Sequence, residues 1–225
     1  MDIKTALMSR FKEEWRADSH RLRPLHGLMG EALATADLIA AKREEFARSG
    51  AFSEKGLTEA TRTFIAGEVL PTLKNVRGHL DGVIVATAGK RASIAPQKPD
   101  PDDLIASGIR REMRHHMRTL SQGDLANLLL KDPDAMALQA VFEVPGFLSG
   151  IDKDLRNHVE RAQIEATDPK KLREVEEQEE AIGLVETAFS HVLRTVKTAA
   201  GFTGDQSGFD NFMTDASGET PQRTA

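Results

Sequence analysis

The chain has no cysteine and no tyrosine among its 225 residues, and one tryptophan. Without cysteine there is no disulfide framework, no thiolate nucleophile and no Cys-ligated zinc or iron–sulfur site. Aromatic residues make up 5% of the chain, too few for an all-β sandwich, which leans on aromatic and β-branched side chains. No apolar run reaches the ~18 residues of a membrane-spanning helix. Met1-Asp2-Ile3-Lys4 leads into charged residues, not into the apolar core of a secretory signal. The expectation is a protein with no membrane partner that is cytoplasmic by default. Glycine and proline together number 26, which argues against collagen-like and wholly disordered chains. Thirty basic against 35 acidic residues give a formal net charge of -5, so the overall field does not attract nucleic acid.

What remains is helical periodicity. Ile3, Leu7, Phe11 and Trp15 recur every four residues, and the pattern resumes after Pro24 with Leu25, Leu28, Met29, Leu33 and Ile39. Ser53 suits a helix N-cap and Gly50 a C′ position. Leu57, Phe64, Leu70, Leu73, Val76, Leu80 and Val83 continue a stripe that drifts, and Pro71 predicts a break or kink. Val83-Ile84-Val85-Ala86-Thr87 also reads as a buried strand, but no other segment offers it a partner, so helix is preferred.

The Pro-rich stretch 90–101 reads as a linker. A helix follows from about Asp103 to Leu120, with Leu104, Ile105, Ile109, Met113, Met117 and Leu120 as its apolar side. Ser121 to Asp124 resembles a capping box. Restarts are expected at Asp132-Pro133 and Asp168-Pro169, and the last helix runs from about Pro169 to Ala200, with Gly201 ending it. The organisation expected is a helical hairpin over 1–89, the linker, a helical region over 102–201 and a disordered acidic tail over 202–225. The fold class is all-α, a bundle of about seven to nine helices.

Catalytic motifs fail one by one. Gly89-Lys90-Arg91 lacks both the preceding glycine and the following Ser or Thr of a phosphate-binding loop. Glu112 and His115 form a single Glu-x-x-His, where a di-metal bundle needs two. Ser149 lacks the spacing of a nucleophile elbow. No catalytic, cofactor-binding or metal-ligating residue is assigned, and no cofactor is implied.

Two segments point to partners. Arg110 to Arg118 carries four arginines and two histidines against one glutamate. Arg111, Arg114 and Arg118, spaced three and four, share a face able to meet the Glu174–Glu180 run, the acidic tail, another protein or nucleic-acid phosphates. Protein or intramolecular pairing ranks ahead of nucleic acid, because no aromatics for base stacking are interleaved. In the tail, Phe209, Phe212 and Met213 form an aromatic–acidic island that reads as a docking motif.

Asp132-Pro133 through Gly150, with Ala-Val-Phe-Glu-Val-Pro-Gly-Phe-Leu-Ser-Gly at its end, slightly resembles uncharacterised proteins of bacterial prophage-like regions. The resemblance covers about 19 residues, carries no catalytic signature and assigns no family. It implies an accessory or assembly role. The function expected is a non-enzymatic helical interaction or assembly protein, homo-oligomeric or bound to another protein. The alternative is a nucleic-acid-associated regulator that uses the Arg110–Arg118 face.

Overall fold

Apolar spacing near 3.6 residues becomes helix throughout the computed structural model, which describes residues 3–15, 20–96, 99–100, 102–131 and 133–215. The helices are α1 (Ile3–Glu14), α2 (Arg23–Arg48), α3 (Glu54–Phe64), α4 (Leu70–Ile94), α5 (Leu104–Met117), α6 (Gln122–Ala126), α7 (Ala135–Glu143), α8 (Gly146–Ser149), α9 (Lys153–Thr167), α10 (Pro169–Ala199) and α11 (Gln206–Asp215). Two π-helical segments, Ile65–Val69 and Asn127–Lys131, join α3 to α4 and extend α6. The described residues contain no strand, so the protein is an all-α multi-helix bundle, with ten continuous helical runs where the sequence reading expects seven to nine.

Capping chemistry sets most boundaries. Ser53, Asp103, Ser121, Asp134 and Asp152 each accept a hydrogen bond from the backbone N–H three residues on, which satisfies one of the orphan donors at a helix start. Asp168 does the same for Lys171 at 3.1 Å. The predicted cap Asp132 lies outside the described residues; the observed cap of α7 is Asp134, two positions later. Pro24 sits in the first turn of α2 and starts that helix. Gly201, at φ +79°, closes α10: its N–H reaches the Thr198 carbonyl at 3.1 Å and the Phe202 N–H reaches that of Lys197 at 3.0 Å.

Pro71 does not break its helix. The Leu70 N–H bonds to the Ile65 carbonyl, five residues back, so the backbone is already widened where the proline ring would otherwise press on the preceding turn. The same widening accounts for the drifting stripe, since Val69 and Leu70 are both fully buried. Val83 to Thr87 is helix, with the Thr87 hydroxyl donating to the Val83 carbonyl at 2.8 Å. The predicted linker starts too early, because α4 continues through Lys90 to Ile94.

Two compact units result, one of residues 1–87 and 177–225, the other of residues 88–176. Their limits fall inside α4 and α10, so α10 is divided between the units and does not belong wholly to the second half. In the first unit the core joins Phe11, Leu25, Met29 and Leu33 to Ile65, Leu73, Val76 and Leu80, and to Val185, Val192 and Val196. Trp15 meets Phe11 edge-on, with ring centroids 5.0 Å apart. The second unit has a smaller core of Met117, Leu125, Leu129, Ala137, Ala140, Val141, Phe142, Ile151 and Val159.

Residues 202–215, expected to be disordered, form a turn and α11 on the first core. Asp205 accepts from the Gly208 N–H at 2.8 Å, and Phe209 is buried, with Phe202, Phe212 and Met213 packed beside it. Arg62 holds this end of the chain. Its Nε and Nη2 donate to the Ala200 carbonyl at 3.0 and 2.9 Å, and its guanidinium lies 4.5 Å from the centroid of the Phe202 ring. Residues 216–225, including Glu219 and Arg223, lie outside the described residues.

Candidate functional site

Helix α5 is turned over relative to the sequence reading. Residues four apart on an α-helix are not stacked but offset by ~40°, since each residue advances by ~100°. The series Ile105, Ile109, Met113, Met117 is therefore a spiral that starts on one side of the helix and ends on another. Met117 is buried in the second core. At the other end, Leu104 and Ile105 are 81% and 80% exposed, and Ile109 is 49% exposed.

The inward side carries arginine instead. Arg110 is 2% exposed. Its Nε donates to Oε1 of Glu143 at 2.9 Å, with Nη2 at 2.8 Å from the same oxygen. Arg114 pairs with the second carboxylate oxygen of Glu143 and also approaches the Ala140 carbonyl at 3.4 Å. One carboxylate on α7 thus takes two guanidinium groups from successive turns of α5. Burial opposes ionisation of Glu143, but the hydrogen bonds and charges of Arg110 and Arg114 outweigh it and hold the carboxyl below its ordinary value. Arg118 donates to the Leu148 carbonyl. Gly150, at φ +83°, lies against Arg118, so close that a Cβ there would sit 2.8 Å from Arg118 Cγ.

The three arginines expected on one accessible face therefore part company. Arg111 is exposed, Arg114 is held by Glu143 and Arg118 by a backbone carbonyl. The anionic partner of Arg114, shared with Arg110, is Glu143, a single residue that the sequence reading did not single out, and not the Glu174–Glu180 run. Two members of that run have partners of their own: Glu176 pairs with Arg161 at 2.6 Å and Glu177 pairs with Arg21. Phe209, Phe212 and Met213 are brought together, but on their own unit's core. Neither a family model nor a curated protein nor a solved structure matches the chain.

Among the described residues no group of three or more His, Asp or Glu side chains is placed to hold a metal ion, and Glu112 and His115 are both exposed on α5. No described helix is long and apolar enough to cross a membrane. A cleft of about 490 Å³ opens in the second unit between residues 93–96, α7, α9 and the start of α10. Leu138, Phe142 and Ile164 form its apolar side. Its charged members, Asp168 and Lys171, neutralise each other at 2.7 Å. A second cleft, in the first unit, has a different character. It measures about 380 Å³ and is lined by Ile39, Ala40 and Arg43 of α2 with His191, Arg194, Thr195, Thr198 and Ala199 of α10.

Proposed function

We propose that the protein is a non-enzymatic helical interaction protein that self-associates through the outer face of α5. One observation carries this reading: Leu104, Ile105 and Ile109 stand exposed together, and at Gly108 beside them even an added Cβ would meet nothing within 4 Å. Leu104, Ile105, Gly108 and Ile109 lie within one side of the helix, opposite the arginines that anchor it. Apolar side chains clustered in this way are stabilised when another surface removes them from water. The cluster alone is smaller than the ~800 Å² per partner of a standard interface, so association is expected to depend on concentration.

Size-exclusion chromatography with light scattering on the untagged full-length protein tests this across a loading series. The expected mass moves from 24.7 kDa toward a multiple of it as loading rises. Ile105→Lys is expected to hold it at the monomer. A strict monomer at every loading refutes self-association. The nucleic-acid reading draws less support, because Arg110 and Arg114 are spent on Glu143 and only Arg111 and Arg118 of that segment are exposed, Arg118 with one bond to the Leu148 carbonyl.

A further inference from the structure

The cleft between α2 and α10 in the first unit collects cationic side chains and no carboxylate. Arg43 comes from α2. His191 and Arg194 come from α10, one turn apart. Among the described residues neither guanidinium has an ion-pair partner, whereas eight other arginines have one. Nearby acids are committed elsewhere. Glu44 faces Arg48 at 3.5 Å, Glu45 faces Lys42 at 2.8 Å, and Glu186, the last acid on α10, faces Arg77 at 3.6 Å. From residue 187 to residue 200 the helix has three basic residues or histidines and no acid. The cleft is a cation-lined recess on a protein whose net charge is negative.

Its floor is apolar. Ile39 is buried, and Ala40 and Ala199 keep the walls low enough for a ligand to lie between the helices. The Thr195 hydroxyl is spent on the His191 carbonyl at 3.2 Å within its own helix. Two guanidinium groups at the rim of an apolar trough match a ligand with an anionic head and a hydrocarbon body. At roughly 30 Å³ per water-sized group, about 380 Å³ holds about a dozen heavy atoms, the size of a medium-chain carboxylate or alkyl phosphate.

We propose that the α2–α10 cleft binds a small amphipathic anion, its carboxylate or phosphate held between Arg43 and Arg194 and its hydrocarbon over Ile39, Ala40 and Ala199. This site is separate from the α5 face and does not depend on self-association.

The test is titration of the ¹⁵N-labelled full-length protein, followed by NMR, with octanoate, hexyl phosphate, inorganic phosphate and 1-hexanol. Both amphiphiles are expected to saturate and to shift the amides of residues 39–43 and 191–199. Inorganic phosphate and 1-hexanol are expected to bind at least about tenfold more weakly, since each lacks half of the ligand. Arg43→Gln and Arg194→Gln are each expected to weaken hexyl phosphate by about tenfold or more, while Arg48→Gln on the same helix leaves it unchanged. Ala40→Leu fills the floor without altering charge and is also expected to weaken it. No saturation by either amphiphile up to about 10 mM overturns the proposal. So does saturation that neither arginine variant nor Ala40→Leu affects, and so does inorganic phosphate binding as tightly as hexyl phosphate.

Discussion

Replacing Glu143 with glutamine keeps the side chain's volume and removes the one charge that answers both Arg110 and Arg114. Arg110 is the sensitive partner, because its side chain is 2% exposed and cannot turn to water. Breaking a buried pair by removing one charge costs about 3–5 kcal/mol, most of it the stranded charge. Two features reduce that figure here. The Glu143 side chain retains 19% exposure, and the glutamine carbonyl still accepts one hydrogen bond, a contribution of about 1 kcal/mol. The expected loss is about 2–4 kcal/mol, which for a unit under ~100 residues lowers its melting temperature by on the order of 10–20 °C. Thermal and urea unfolding of the full-length protein, followed by circular dichroism, measures the loss, and amide exchange in α5 and α7 localises it. Arg111→Gln serves as the control on the same helix and is expected to stay within about 0.5 kcal/mol. If Glu143→Gln matches that control with unchanged exchange protection, the arginines do not depend on Glu143 and the account of α5 is wrong.

The same pair has a pH signature. The carboxyl of Glu143 is held below its ordinary value of 4.5, so its contribution is complete above that value and is lost as pH falls through the lower folded-state value. The stability gap between wild type and Glu143→Gln is therefore expected to be flat around neutrality and to close only in acid; a gap that closes near pH ~6.5, the histidine range, would contradict this. Gly150→Ala combines a left-handed backbone with a Cβ placed 2.8 Å from Arg118 Cγ and 3.3 Å from its Cα, so a loss of about 2 kcal/mol or more is expected in urea unfolding. Arg62→Met removes two hydrogen bonds to the Ala200 carbonyl and the stacking on Phe202. Amides of residues 206–215 are then expected to exchange faster while α2 and the rest of α10 keep their protection, and equal acceleration everywhere would refute a local tether.

The helical class was legible because the 3.6-residue pattern recurs along the chain and its one competitor, the strand-like Val83–Thr87, had no segment to pair with. Ser53, Asp168, Gly50 and Gly201 mark ends by chemistry that depends on their own neighbours alone. The misreadings share a different cause. Ile105, Ile109, Met113 and Met117 are not one face, because rotation accumulates over each four-residue step, and Arg110 is accordingly buried against Glu143 instead of facing solvent. Pro71 reads as a break or kink because the π-turn before it leaves no mark in composition. The tail looked unstructured because it is polar, yet Phe209, Phe212 and Met213 follow the three-and-four spacing of an amphipathic turn, and Asp205 caps it. The α2–α10 cleft was half visible: His191, Arg194, Thr195 and Thr198 share a face by spacing, but nothing local shows that Arg43 stands opposite them.

The π-turn at Ile65–Val69 acts as slack in the chain's length. A residue inserted into an ordinary helix rotates everything beyond it by ~100°, which here would carry Leu73, Val76 and Leu80 off the core. A π-turn takes up one extra residue locally and returns the helix to register. Shortening this segment by one residue would leave the stripes on either side facing the same way, and the loss would fall on Pro71 alone, now pressed against an ordinary turn. The same deletion five residues later, within Lys74–His79, would misdirect the remainder of the helix. Tolerance to changes in length along this run of helix is thus concentrated in one turn, and that turn also admits the proline.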